Sequence, residues 1–167
     1  MTDHTLTLPE TLPLSLSTED GRTRILFLCS GNTCRSPMCE AAVNGLPAYN
    51  TRFVATSAGL AAYPGDPISR LAVAALEDAG IPADPDRDYH RHFAIPLREE
   101  LLESCDLAVC MNERARAALL GRYPLFAAKF RVFPGELPDP FGGDDETYRA
   151  CLRAILAGLP LLLGEDT

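Results

Sequence analysis

A chain of 167 residues with 47% hydrophobic side chains is long enough to bury one core and too short for two ordinary domains. Its net charge of −8 excludes a surface built for nucleic acid or an anionic membrane, so any affinity for phosphate has to be local. Six cysteines without a basic and then apolar leader point to reduced thiols in the cytoplasm, and no apolar run reaches the roughly 18 residues of a membrane span.

Residues 1–23 hold Pro9, Pro13 and scattered leucines without helical period, and are expected to form a loosely ordered extension ahead of one domain over 24–167. From there, apolar runs alternate with helical patterns, which predicts βα units and a parallel sheet. The first strand is expected over Ile25–Cys29 and a helix from Pro37 to about Leu46, with Ser36 as its N-cap. A second strand is expected over Phe53–Ser57, ending at a Ser57-Ala58-Gly59 turn. The next helix is predicted to be capped by Asp66, opened by Pro67 and closed by Gly80, with Ile68, Leu71, Ala72, Ala75, Leu76 and Ala79 on one face. A polar loop over Pro82–Asp88 precedes a short helix from Leu97 to Ser104, a third strand over Asp106–Met111 and a helix from Asn112 to Gly121. Phe130–Phe133 reads as the fourth strand and Pro138–Gly143 as a loop, before a final helix from about Asp144 that Pro160 should kink or end.

The chemistry concentrates in Cys29-Ser30-Gly31-Asn32-Thr33-Cys34-Arg35-Ser36, between the first strand and the first helix. A tight loop there can turn its backbone N–H groups onto an anion, helped by Gly31 and by the positive end of the helix dipole. A cysteine so placed, beside a cation, is favoured as thiolate and becomes a nucleophile. Arg35 adds a planar fork that matches two phosphoryl oxygens at once, which Lys cannot do equally well.

The cysteine, five residues, then Arg35-Ser36, together with Asp139-Pro140-Phe141 before the last helix, resembles the low-molecular-weight protein tyrosine phosphatase family from about Arg24 to about Leu163. The resemblance implies a doubly wound, four-stranded parallel sheet with helices on both faces, in the flavodoxin-like order 2-1-3-4, and a site beyond the carboxyl end of the first strand. It further implies that Cys29 attacks phosphorus to give a phosphocysteine, Arg35 clamps the equatorial oxygens, and Asp139 first protonates the leaving group and then activates water. Ser30, Gly31, Asn32, Thr33, Cys34 and Ser36 complete the binding loop, with Asn32 and Ser36 orienting it and the thiolate. The substrate is then a phosphorylated protein, and neither metal nor cofactor is required. Thr33 stands where tyrosine-directed members have a larger aliphatic residue; with Asp139-Pro140-Phe141-Gly142-Gly143 it resembles the protein arginine phosphatase branch. Tyr63 and Phe141 are expected to wall the pocket against either a phenyl ring or a guanidinium. Cys34 resembles the family's second cysteine, which traps an oxidised nucleophile as a disulfide.

Competing readings use the same residues. Cys29, Cys34 and Cys39 at four-residue gaps could suggest a metal cluster, but Arg35 inside the loop would oppose a cation. A thiol-dependent arsenate reductase on this scaffold would need further cysteines, for which Cys105 and Cys110 are the candidates. A phosphate-binding module without turnover would be expected to lack Cys29 or Asp139. Cys39, Cys105, Cys110 and Cys151 read as small buried residues. Asp106 is the rival acid, His90 and His92 read as solvated, and Tyr148 is either a packed helix residue or a neighbour of the site.

Overall fold

Alternation along the first apolar run sends its side chains to two sides at once. Ile25, Phe27 and Cys29 pack into one buried cluster, and Leu26 and Leu28 into another, so this strand needs cover on both faces. In the computed structural model, which describes residues 21–164, the strand is β1 (Thr23–Cys29). With β2 (Phe53–Gly59), β3 (Leu107–Cys110) and β4 (Phe130–Val132) it forms one parallel sheet in the order β2-β1-β3-β4. The doubly wound α/β architecture and strand order expected from the sequence are those observed. Of the expected extension over 1–23, residues 1–20 lie outside the described residues, and Thr23 already belongs to β1.

The helices, in chain order, are α1 (Arg35–Gly45), the single turn α2 (Pro47–Asn50), α3 (Arg70–Asp78), α4 (Glu99–Ser104), α5 (Glu113–Arg122) and α6 (Asp145–Leu163). The cluster around Ile25 and Phe27 takes Val43 from α1, Leu76 from α3 and Ile155 from α6. On the other face, Leu102 of α4 and Leu119 of α5 meet Leu26, Leu28 and Ala108. Asn112 and Asp144 cap α5 and α6, accepting from the N–H of Ala115 at 2.8 Å and of Thr147 at 3.0 Å. Two 3₁₀ segments, Tyr89–Arg91 and Pro124–Lys129, carry no clear mark in the sequence.

Three helix boundaries differ from expectation, and each has a local cause. The first helix begins at Arg35 with Cys34 as its N-cap, because the Ser36 hydroxyl is engaged by Cys29 and Asn32. The helix expected from Pro67 begins only at Arg70. Residues 65–68 instead run against 92–94: Gly65 and Ile68 donate to Ala94 and His92, and Ala94 donates back to Asp66. Lastly, α6 does not end at Pro160. It continues to Leu163, and the N–H of Gly164 returns to the Pro160 carbonyl at 2.8 Å.

Strand β2 runs two residues past its expected end, because Gly59 pairs with Cys29 and slides beneath the loop that follows β1. A Cβ on Gly59 would lie 2.7 Å from both the Ser30 carbonyl oxygen and Ala62 Cβ. Only glycine allows that approach. The loop over 29–35 therefore rests on backbone.

Candidate active site

Five carbonyls of this loop are taken up by hydrogen bonds. Those of Cys29 and Ser30 accept from Leu60 and Ala61, that of Asn32 from His92, that of Thr33 from Ser69 and that of Cys34 from Met38. No hydrogen bond among the described residues uses the backbone N–H of any residue from Ser30 to Arg35. With these five acceptors tied off and its donors free, the loop is a cradle for an oxyanion at the N-terminus of an 11-residue helix.

Cys29 sits in that cradle. Its Sγ lies 3.0 Å from Ser36 Oγ and accepts the Ser36 N–H at 3.4 Å. The Ser36 oxygen itself accepts from Asn32 Nδ2 at 2.8 Å, which leaves its own O–H to donate to sulfur. Two donors from one residue thus fix the direction of the sulfur.

Asn32 holds the arrangement from behind. It is fully buried with φ +59°, a left-handed conformation that asparagine adopts more readily than most residues. Its amide also donates to Ser57 Oγ at 3.0 Å, and its Oδ1 accepts the Ile95 N–H at 3.0 Å. Ser57 Oγ in turn donates to Glu40 Oε1 at 2.5 Å. His92 closes the ring: its Nε2 donates to the Asn32 carbonyl at 2.8 Å, and its Nδ1 lies 3.9 Å from Glu40 Oε1. The Glu40 side chain is 16% exposed. Burial raises its carboxyl to about 7, against the pull of the Ser57 hydrogen bond and of the Arg87 charge. Burial likewise holds His92 below its usual value, so the ring is neutral near pH 7.

In front of the loop lies an open cleft of about 270 Å³, lined by Cys29, Ser30, Gly31, Thr33, Cys34, Arg35, Ala61, Tyr63, Asp66, Asp139 and Phe141. Arg35 Nη1 donates to the Leu137 carbonyl at 2.9 Å, and its Nη2 lies 3.7 Å from Asp139 Oδ2. Its buried Nε has no hydrogen-bond partner among the described residues. Asp139 is half exposed and accepts the Phe141 N–H at 3.1 Å through Oδ1, so the loop before α6 holds its carboxylate beside Arg35. Tyr63 and Phe141, each 77% exposed, stand at the mouth. Cys34 Sγ lies 3.2 Å from Tyr148 Oη. Burial pushes the Cys34 thiol up, opposed in part by hydrogen bonds with Tyr148 and Thr33. Burial also raises the Tyr148 hydroxyl to about 12.

Of the residues singled out in the sequence, Cys29, Ser30, Gly31, Thr33, Cys34, Arg35, Tyr63, Asp139 and Phe141 meet at this cleft. Asn32 and Ser36 are buried and are not among its lining residues; they reach the site through hydrogen bonds behind the loop. Asp106 lies just ahead of β3, accepting the Arg24 N–H at 2.7 Å, at the end of the sheet opposite Cys29. His92 is not solvated as expected, whereas the exposed His90 is held between Asp88 and Glu77. Three residues here carry no functional signal in the sequence: Glu40, eleven residues after Cys29, has no pattern of its own, Ser57 reads as a strand end and Asp66 as a helix cap.

The family described as low molecular weight phosphotyrosine protein phosphatase matches residues 24–165 of this chain. The chain belongs to that family. It is a phosphatase enzyme. The protein-arginine-phosphatase of Bacillus subtilis (strain 168) is 37% identical over 153 residues, which cover 85% of this chain and 97% of that protein. Among solved structures, YwlE arginine phosphatase from Geobacillus stearothermophilus superimposes with a TM-score of 0.73 at 30% identity, covering 84% of this chain and 90% of that one. The low molecular weight protein tyrosine phosphatase from T. tengcongensis gives 0.74 at 32% identity, covering 84% and 97%. Relatives on both sides of the tyrosine and arginine division therefore share this fold.

Proposed function

We propose that this phosphatase hydrolyses phosphoarginine in proteins through a phosphocysteine intermediate. The observation that carries the substrate choice is Thr33, a small hydroxyl residue that lines the cleft beside Cys29 and Arg35. Its hydroxyl accepts an N–H of the leaving group, and its size leaves room for a planar guanidinium. The arginine-phosphatase relatives support the same choice.

The steps follow from the geometry. The phosphoryl oxygens settle on the N–H groups of residues 30–35 and on Arg35, whose Nε is a buried donor in need of an acceptor. Sγ of Cys29 attacks phosphorus, the P–N bond breaks, and the leaving nitrogen takes the proton of Asp139. Water then attacks the phosphocysteine and gives its proton to Asp139, while the S–P electrons return to sulfur and phosphate leaves. Positioning and fixed dipoles carry the charge of the transition state. Cys34, lining the same cleft, captures an oxidised Cys29 as a reversible disulfide.

Phosphotyrosine is the second reading, favoured by Tyr63 and Phe141, which can flank a phenyl ring as readily as a guanidinium. Arsenate reduction is disfavoured by placement: Cys105 and Cys110 belong to the core cluster on the face of the sheet away from Cys29. The cytoplasm remains the compartment proposed, and among the described residues no helix is long and apolar enough to cross a membrane.

The test is the rate of phosphate release from a phosphoarginine protein and from a phosphotyrosine peptide in parallel, with reductant and chelator. Preference for phosphoarginine is expected; preference for phosphotyrosine overturns the substrate choice and keeps the chemistry. Release from neither overturns both.

A further inference from the structure

The cleft carries one carboxylate more than this chemistry uses. Asp139 serves as acid and base, but Asp66 lines the same cleft and is exposed. It also lines the adjoining groove, together with Thr33, Ser69, Phe141 and Gly142, and so stands where the two openings meet. Its carboxylate has no ion pair or hydrogen bond with any described residue. The cleft holds a single cation, Arg35, which already faces Asp139.

Asp66 is not loosely placed. It closes the turn Tyr63-Pro64-Gly65-Asp66, in which the Asp66 N–H donates to the Tyr63 carbonyl at 3.2 Å and Gly65 takes φ +88°. Proline followed by a positive-φ glycine is the signature of a type II turn. The Asp66 carbonyl accepts the Ala94 N–H at 2.7 Å, which pins the turn to the neighbouring segment. One rigid turn therefore presents an aromatic ring and an unpaired carboxylate to the cleft, one at each end.

An aryl phosphate brings only negative charge to this mouth, where a second carboxylate repels it. A phosphoarginine brings a guanidinium bonded to phosphorus through nitrogen, with N–H donors that the cleft must satisfy. Aromatic face plus carboxylate is how proteins hold a guanidinium. We infer that Asp66 is a substrate-specificity determinant: its carboxylate accepts from the guanidinium of phosphoarginine while the Tyr63 ring covers the guanidinium plane. This rests on the phosphoarginine reading and extends it, since Asp139 and Thr33 alone leave the charge of the leaving group unread.

The experiment compares kcat/KM on phosphoarginine and phosphotyrosine peptides of otherwise identical sequence for the wild type, Asp66→Asn and Asp66→Glu, with thermal melts to confirm folding. Asp66→Asn should lower kcat/KM on phosphoarginine about tenfold and raise it on phosphotyrosine about twofold, because the lost charge attracted one substrate and repelled the other. Asp66→Glu should restore most of the preference. Equal losses on both substrates would make Asp66 a structural wall and overturn the inference, as would an unchanged ratio. A wild type that turns over phosphotyrosine alone overturns the phosphoarginine reading first and this inference with it, a result visible without any variant.

Discussion

The two sides of the loop over residues 29–35 are built to opposite rules. Its underside is buried and almost fully paired: hydrogen bonds run from the sulfur of Cys29 through Ser36, Asn32 and Ser57 to Glu40, and His92, 3.9 Å from Glu40, donates back to the Asn32 carbonyl. Its front is open, with free backbone donors, an exposed carboxylate on either side and aromatic rings at the mouth. The underside sets whether the thiolate is aimed and ready, and the front sets what it meets. Changes behind the loop should therefore alter all substrates alike, and changes in front should alter their ranking.

The largest break in that division is at the nucleophile, which belongs to both sides. Cys29→Ser should remove turnover, by at least about 10⁴-fold on any substrate, while phosphate binding measured by calorimetry persists. Residual turnover near the wild-type rate would exclude a phosphocysteine. Next comes Asp139→Asn, expected to slow phosphoarginine release about 10²-fold or more but to cost less on an activated aryl ester, whose leaving group needs no proton. Equal loss on both would deny Asp139 its role as acid.

A smaller effect isolates the underside through pH. Glu40 is raised from 4.5 to about 7, so the folded protein holds a proton there that the unfolded chain has released. Below 4.5 both states are protonated and Glu40 contributes nothing to the pH dependence; above about 7 both are ionised and the full penalty applies. Between those values folding stability should fall as pH rises, by up to about 3 kcal/mol from this group. Glu40→Gln should flatten that slope in denaturant midpoints measured from pH 5 to 7.5. A slope left unchanged would mean that Glu40 is ionised in the folded state at neutral pH.

How much of this was legible beforehand follows the same line between front and back. The βα alternation and the phosphate-binding loop announce themselves as local patterns, an apolar run ending in cysteine ahead of a helix start, while the strand order and the part played by the Asp-Pro-aromatic loop were legible only through the family resemblance. Behind the loop only Asn32 and Ser36 were legible, because Ser57, Glu40 and His92 come from three separate segments and meet only through the fold. His92 looked solvated beside His90 since sequence cannot tell which of two neighbouring histidines turns inward. Asp66-Pro67 looked like a helix start, as local chemistry allows, until pairing with residues 92–94 claimed that backbone.

The most direct test of the division sets one variant from each side against both substrates: kcat/KM on phosphoarginine and phosphotyrosine peptides for the wild type, Asn32→Ala and Thr33→Ile. Asn32→Ala should lower both values by the same factor, about tenfold or more, because it loosens the thiolate without touching the leaving group. Thr33→Ile should shift their ratio toward phosphotyrosine by about tenfold. If Asn32→Ala changes the ratio while Thr33→Ile scales both values equally, the division between the two faces of the loop is wrong.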